Sequence, residues 1–152
     1  ITHAFDNNGA KFDENGNAAD WWTPEDYNTF NDLCADMIAF YDGYEGIPGI
    51  PMNGTLTLSE NIADQGAVQC ITEIESRRES PDFKTLYTSF AKCMAATTTR
   101  AYAQYAATFD YHSDAKLRVN KCVVNCPEFY EAFGITENDG MWVAPENRVR
   151  VW

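Results

Sequence analysis

The sequence has few histidines and few basic residues, and these shortages limit the functions it can have. Only 2 of its 152 residues are histidines, and 11 lysines and arginines stand against 23 aspartates and glutamates, so the formal net charge is −12. A polyanion of this size is repelled by nucleic acid and by anionic membranes, so neither is an expected partner. No apolar run approaches the roughly 18 residues that a membrane span needs. We therefore expect no membrane contact from this segment.

Cysteines at metal-binding or redox spacing are also lacking. The five cysteines form an odd set without a CxxC pair: Cys34, Cys70, Cys93, Cys122 and Cys126. Cys122 and Cys126 lie four residues apart, but no second pair completes a metal site. The simplest interpretation is free thiols in a reducing compartment. Because the sequence starts at Ile1 without an initiator methionine, we expect any targeting segment to lie upstream.

The composition indicates an ordinary globular domain, with 45% hydrophobic and 22% charged residues. A chain of this length can form one domain with one core. Asp, Asn and Gly enrich residues 6–20, and Gly and Pro recur over residues 43–51, so both stretches are predicted loops. The rest of the sequence favours helices, and no sheet is evident. The predicted fold class is mainly α, with long irregular loops.

Four helices are predicted from local signals. Thr23 as N-cap and Pro24 in the first turn mark the first helix, whose apolar stripe is Phe30, Leu33, Met37, Ile38 and Tyr41. The second runs from Leu56 to about Arg77, with a predicted buried stripe at Ile62, Val68, Ile71 and Ile74. The third runs from Phe83 to about Thr108, weakened at residues 97–99 by three β-branched threonines. A short fourth helix over Pro127–Phe133 stops at Gly134.

A small set of residues could carry chemistry. Glu60 and Asp64 lie four residues apart and therefore on one helical face. Such a pair is usually a solvated surface, and a lone histidine such as His3 or His112 is usually structural. Together, however, a His, a Glu and a further Asp are parts of a catalytic zinc site, which uses three protein ligands and an open fourth position. One ligand is missing from that count.

Five segments, in order along the chain, resemble those of neprilysin-like and endothelin-converting-enzyme-like zinc metallopeptidases. ITHAFDNNGAKFDENGNAADWWT resembles the family segment that begins HExxHxFDxNG and ends in WWT. LTLSENIAD resembles its ExxxD motif, and YHSDAKLRVN resembles its HSP…RVN segment. PEFYEAFG and the terminal RVW also match. The resemblance implies that residues 1–152 are the helical C-terminal part of a single thermolysin-like (zincin), neprilysin-type catalytic domain.

The resemblance also implies a role for individual residues. His3 matches the second histidine of HExxH and Glu60 the third protein ligand, so both are expected to bind Zn²⁺. Asp64 matches the acid that holds the free nitrogen of a zinc-bound imidazole, and Asp6 matches another acid beside the metal site. The remaining matches are a histidine that stabilises the oxyanion, an arginine that grips a substrate carbonyl and an apolar pair in a substrate pocket: His112, Arg118, and Cys93 with Met94.

The implied activity is hydrolysis of peptide bonds in oligopeptides through a zinc-activated water, on the amino side of hydrophobic residues. Ile1 and Thr2 match the two middle residues of HExxH, so the first histidine and the glutamate of that motif are expected upstream. We therefore expect the isolated segment to be inactive and to need the N-terminal part of the same protein as its partner. The alternative is a non-catalytic, peptide-binding or structural fragment that needs such a partner only to fold.

Four positions depart from the family pattern. Asn7 replaces a common second Asp, and Asp114 replaces a Pro after Ser113, so the turn that bears His112 is expected to differ. Val149 and Asp36 stand where extracellular relatives carry a cysteine pair. The joint loss of both cysteines agrees with a reducing compartment. It favours a bacterial cytoplasmic enzyme over the alternative, an extracellular or membrane-anchored ectoenzyme.

Overall fold

Helix α1 (Pro24–Tyr41) begins at the predicted capping signal. In the computed structural model, which describes residues 1–151, the Thr23 hydroxyl oxygen accepts the backbone N–H of Asp26 at 3.1 Å. This bond satisfies one of the unpaired N–H groups of the first turn. The predicted stripe forms the inner face of α1, and its most deeply buried members are Phe30, Met37 and Tyr41.

Helix α2 (Leu58–Ser76) lies at the centre of the molecule and contacts α1, the first residues of the chain and the later helices over residues 83–94 and 115–123. Its predicted buried stripe is partly wrong. Ile62 and Val68 are buried, but Ile74 is 66% exposed. The buried face is shared with polar side chains that have hydrogen-bond partners, among them Asn61, Gln65 and Thr72. The positions of the apolar residues along the sequence therefore predict the wrong buried face for the last turns of α2.

The predicted third helix is two helices, α3 (Phe83–Met94) and α4 (Arg100–Phe109). Ala95 and Thr99 have extended backbone conformations, and the Thr99 hydroxyl oxygen accepts the N–H of Tyr102 at 3.2 Å to cap α4. The β-branched threonines that weakened the helix prediction thus mark the break, because they favour extended backbone and capping over a helix interior.

Helix α5 (Ala115–Val123) was not predicted. Its signal is Asp114, whose Oδ1 accepts the N–H groups of Lys116 and Leu117 at 3.0 and 3.1 Å. Helix α6 (Pro127–Phe133) is as predicted, and Gly134 ends it in the left-handed conformation at φ 64°. In the described part of the chain, three short 3-10 helices complete the helical segments: Thr2–Phe5, Gly9–Lys11 and Pro145–Asn147.

Two apolar clusters flank α2. One joins α1 and the start of α2 to Leu117 and Val151, and the other joins α3, α6 and the end of α5 to the tail around Trp142. Residues 1–151 contain no β-strand, only isolated bridges at Phe12–Ala18 and Ile47–Ile50. The mainly α prediction is confirmed. Within the same residues, no helix combines the length and the apolar character that crossing a membrane requires.

Candidate metal centre

His3 is oriented by a buried carboxylate. His3 lies in the 3-10 helix Thr2–Phe5, and its Nδ1 is 2.8 Å from Oδ2 of Asp6, which is 3% exposed. The other oxygen of Asp6 accepts the backbone N–H groups of Asn8 and Gly9, each at 2.7 Å. Asp6 is therefore fixed by the following turn and holds one ring nitrogen of His3. The second nitrogen, Nε2, faces Glu60.

Gly9 allows this turn to fold back on His3. A Cβ at position 9 would collide with the carbonyl oxygen of His3 and with the backbone of Ala4. Only glycine permits so close an approach of two backbone segments. Gly9 belongs to the predicted loop over residues 6–20, and in the structure it is required for the position of His3.

Glu60 lies in the first turn of α2, at the point where three segments meet. Its Oε2 atom is 3.5 Å from Nε2 of His3 and 3.0 Å from Nε2 of His112. The Glu60 side chain is only 16% exposed, whereas the two imidazoles are 55% and 45% exposed. The structure thus brings His3, Glu60 and His112 together from positions that are far apart in sequence.

His112 is held by Asp110, which was not among the residues predicted from the sequence. Oδ1 of Asp110 lies 2.8 Å from Nδ1 of His112 and also accepts the backbone N–H of His112 at 3.0 Å. These hydrogen bonds hold the pKa of Asp110 below its usual value, and the bond from the backbone N–H of His112 has the largest effect. The available signal was an Asp two residues before a His, which is the spacing of an Asx turn.

Asp64 and Arg118 form a bidentate pair across α2 and α5. Nε of Arg118 donates to Oδ2 of Asp64 at 2.6 Å, and Nη2 donates to Oδ1 at 2.8 Å. The hydrogen bonds to Asp64 are the main cause of a raised pKa for Arg118. Asp64 thus contacts Arg118, while Asp6 holds His3. The role predicted for Asp64 beside a zinc-bound imidazole stays a prediction.

Cys93 and Met94 lie at the C-terminal end of α3. Cys93 is exposed and Met94 is partly buried. Their part in a substrate pocket stays a prediction. Among the described cysteines, Cys34, Cys122 and Cys126 are buried, Cys70 and Cys93 are exposed, and all five are free thiols.

The donor set fits part of a zinc site. An imidazole Nε2 and a carboxylate are ligand types that zinc takes, and a ligating histidine usually has its other nitrogen held by an acceptor such as Asp6. In the range 1–151, no group of three His, Cys, Asp or Glu side chains has an arrangement that could hold a metal ion. His3 and Glu60 are two candidate ligands, and their binding of zinc stays a prediction.

Comparison with known proteins identifies the family. The family model described as Peptidase family M13 matches residues 1–149. The chain belongs to this family, the neprilysin family of peptidases. It is 42% identical to the neutral endopeptidase of Lactococcus lactis subsp. cremoris and 30% identical to human neprilysin. Both alignments cover the whole chain, but only 24% and 22% of the respective relatives.

Solved structures of two family M13 members share the fold. PEPO from Lactobacillus rhamnosis superposes with a TM-score of 0.89 at 39% identity, over 98% of this chain and 24% of that one. The zinc metalloprotease ZMP1 of Mycobacterium tuberculosis, in complex with an inhibitor, gives a TM-score of 0.88 at 31% identity, over 99% and 25%. The predicted neprilysin-type fold is thereby confirmed. The chain spans about a quarter of the length of the curated relatives it matches. These relatives come from bacteria and mammals, so the cytoplasmic location stays a prediction.

Proposed function

We propose that this chain is the C-terminal part of a zinc endopeptidase domain and that it supplies two zinc ligands, His3 and Glu60. One observation carries the proposal: Nε2 of His3 and Oε2 of Glu60 lie 3.5 Å apart, while buried Asp6 holds Nδ1 of His3. Two potential metal ligands from distant segments face the same point. The more exposed of them, His3, is held through its other ring nitrogen by Asp6. If Glu60 were only part of a solvated acidic surface, a buried carboxylate that orients the facing histidine would not be required.

The complete site needs groups from elsewhere. A catalytic zinc site has three protein ligands and an open position, and this chain provides two. We assign the third ligand and the general base to the N-terminal part of the same protein, since the relatives are about four times as long. When bound, zinc supplies Lewis-acid chemistry by lowering the pKa of a water and polarising a carbonyl.

His112 is placed to donate a hydrogen bond to the oxygen that becomes negative when a peptide carbonyl is attacked. Asp110 accepts from Nδ1 at 2.8 Å, which leaves Nε2 directed toward Glu60 and the site. In the protonated ring both nitrogens donate, so Nε2 can stabilise the developing charge. Loss of one such donor typically lowers kcat by about 100- to 1000-fold.

Arg118 is placed to bind a backbone carbonyl of the substrate. Its guanidinium group carries five N–H donors in a planar fork, and Asp64 uses one on Nε and one on Nη2. The Asp64 contact fixes the plane of the fork, so the other donors keep a defined direction. In this proposal Arg118 binds the backbone of an oligopeptide substrate. Cys93 and Met94 contact the apolar side chain of the residue that follows the cleaved bond, so cleavage occurs on the amino side of hydrophobic residues.

Metal analysis with a peptidase assay tests the proposal. After exhaustive buffer exchange, the complete protein is expected to retain about one zinc and to cleave an internally quenched peptide, and Glu60→Gln should lose both properties. The 152-residue chain alone should show no cleavage. A complete protein that holds no zinc would contradict the metal site. One that holds zinc but cleaves no peptide would favour the alternative, a non-catalytic peptide-binding or structural fragment.

A further inference from the structure

A buried hydrogen bond joins the two segments that carry Glu60 and His112. The Ser113 hydroxyl donates to Oδ1 of Asn61 at 2.8 Å, across 52 positions of sequence. Asn61 is 1% exposed and Ser113 is 4% exposed. Asn61 directly follows Glu60, and Ser113 directly follows His112. The bond therefore ties together the backbones of the two residues whose side chains meet at 3.0 Å.

The Asn61 amide is itself held in place. Its Nδ2 donates to the Thr57 hydroxyl oxygen at 2.9 Å, and the Thr57 hydroxyl donates to the carbonyl oxygen of Asn53 at 3.1 Å. The Asn61 amide and the Thr57 hydroxyl each accept one of these bonds and donate another, which fixes the amide with its carbonyl toward Ser113. Because the bond is shielded from water, its loss would leave a buried acceptor unpaired, which is more costly than losing an exposed bond.

We propose that Asn61 and Ser113 are a positioning pair that fixes His112 relative to Glu60. The His112 imidazole is 45% exposed, and within residues 1–151 its side chain has polar contacts only with Asp110 and Glu60. Asp110 belongs to the same short connection between α4 and α5, so it cannot set the distance of that connection from α2. The Asn61–Ser113 bond sets that distance beside Glu60 and His112, because each of its two residues directly follows one of them. Asp64–Arg118 joins the same two segments further along, on α5.

This inference rests on the proposed function for its catalytic consequence, but its geometric part can be tested without activity. The test uses the complete protein. In its two-dimensional ¹H–¹⁵N imidazole spectra, His3→Gln and His112→Gln identify the signals of the two histidines of this chain. In Ser113→Ala, the His112 signals should move toward those of a free histidine, while the His3 signals stay in place. Ser113→Thr, which keeps the hydroxyl, should restore the original positions.

A matched control separates positioning from stability. Thr72 lies on α2, as Asn61 does, but near the other end of the helix, and its hydroxyl shares a buried hydrogen bond of 3.0 Å with the hydroxyl of Tyr87 on α3. Thr72→Val should lower the melting temperature to a similar extent and leave the His112 signals unchanged. If Ser113→Ala does not fold, Ser113→Cys keeps the shape with a weaker donor and should show the same displacement to a smaller degree.

In the complete endopeptidase, Ser113→Ala should lower kcat by about 10- to 100-fold, the effect of a small misplacement of a catalytic group, with KM nearly unchanged. Thr72→Val should leave both constants at the wild-type values. Unchanged His112 signals in folded Ser113→Ala or Ser113→Cys would overturn the proposal. If even the wild-type protein cleaves no peptide, the proposed function fails, and the imidazole spectra alone decide whether the pair positions His112.

Discussion

Nε2 of His112 lies 3.0 Å from Oε2 of Glu60, and that same oxygen lies 3.5 Å from Nε2 of His3. Each imidazole is held on its other side by its own aspartate, at 2.8 Å in both cases. One carboxylate on α2 thus faces two histidines that come from distant parts of the sequence. The proposed metal site and the proposed oxyanion donor therefore share Glu60 as their common neighbour.

Asp6→Asn should weaken zinc binding by the complete protein. Asn keeps an oxygen for the N–H groups of Asn8 and Gly9, but it places an NH₂ group opposite Nδ1 of His3 and removes the acceptor there. Replacing such a supporting group typically lowers metal affinity by about 10- to 100-fold. Competition with a chromogenic chelator measures the change. Asp20→Asn, at an exposed position, is the control, and an equal affinity for both variants would contradict the role of Asp6.

Arg118→Lys should destabilise the chain although it keeps the charge. The Asp64 pair is partly buried, with side chains 24% and 15% exposed, and lysine cannot reproduce two parallel N–H contacts. We expect a loss of about 1–2 kcal/mol in the free energy of unfolding, measured in urea. Arg78→Lys is the matched control, because Arg78 is 67% exposed and contacts Glu75 through one nitrogen at 3.2 Å. That change should cost less than about 0.5 kcal/mol.

Lys121 should make stability depend on pH in the alkaline range. Its side chain is buried, with Nζ 4.1 Å from the Phe40 ring centroid and 2.9 Å from that of Tyr44. Burial lowers its pKa from 10.5 to about 8. The unfolded chain therefore binds more protons than the folded one between these values, so this group makes the free energy of unfolding rise with pH across that window.

The Lys121→Met variant isolates this contribution. Between about pH 8 and 10.5, the unfolding free energy of wild type should increase relative to the variant by about 2–3 kcal/mol. Thiols and tyrosines that become exposed on unfolding also add to the pH dependence, but they do so in both proteins and cancel in the difference. Parallel curves for the two proteins would show that the Lys121 amine keeps the same pKa on folding.

Thiol labelling should divide the cysteines into two groups. Cys70 and Cys93 are exposed and should react quickly with iodoacetamide at pH 8 under native conditions. Burial raises the pKa of Cys34 to about 11 and raises those of Cys122 and Cys126, so these three should react only in denaturant, because the thiolate is the reactive form. Peptide mapping by mass spectrometry gives the sites. Rapid native labelling of Cys122 would contradict the packing around α5.

Local signals were enough to predict several elements. The Thr23–Pro24 start of α1 and the Gly134 stop of α6 depend on backbone hydrogen bonds and a left-handed residue within a few positions, so local chemistry decides them. The buried face of α2 did not follow from the sequence, since Asn61, Gln65 and Thr72 are buried there through partners on distant segments. Hydrophobic periodicity carries no information about such partners.

The sequence by itself determined the family, the mainly helical fold and the residue types of the candidate site, since its motifs are contiguous and their order along the chain is specific. Tertiary structure alone decided which acid serves which group: Asp6 holds His3, Asp110 holds His112, and Asp64 holds Arg118. It also decided that Glu60 stands between the two histidines and that Asn61 bonds to Ser113. The physical reason is that a hydrogen bond requires a distance and an angle, which the packing of α2 against residues 1–11 and 110–118 sets and which no spacing along the chain encodes.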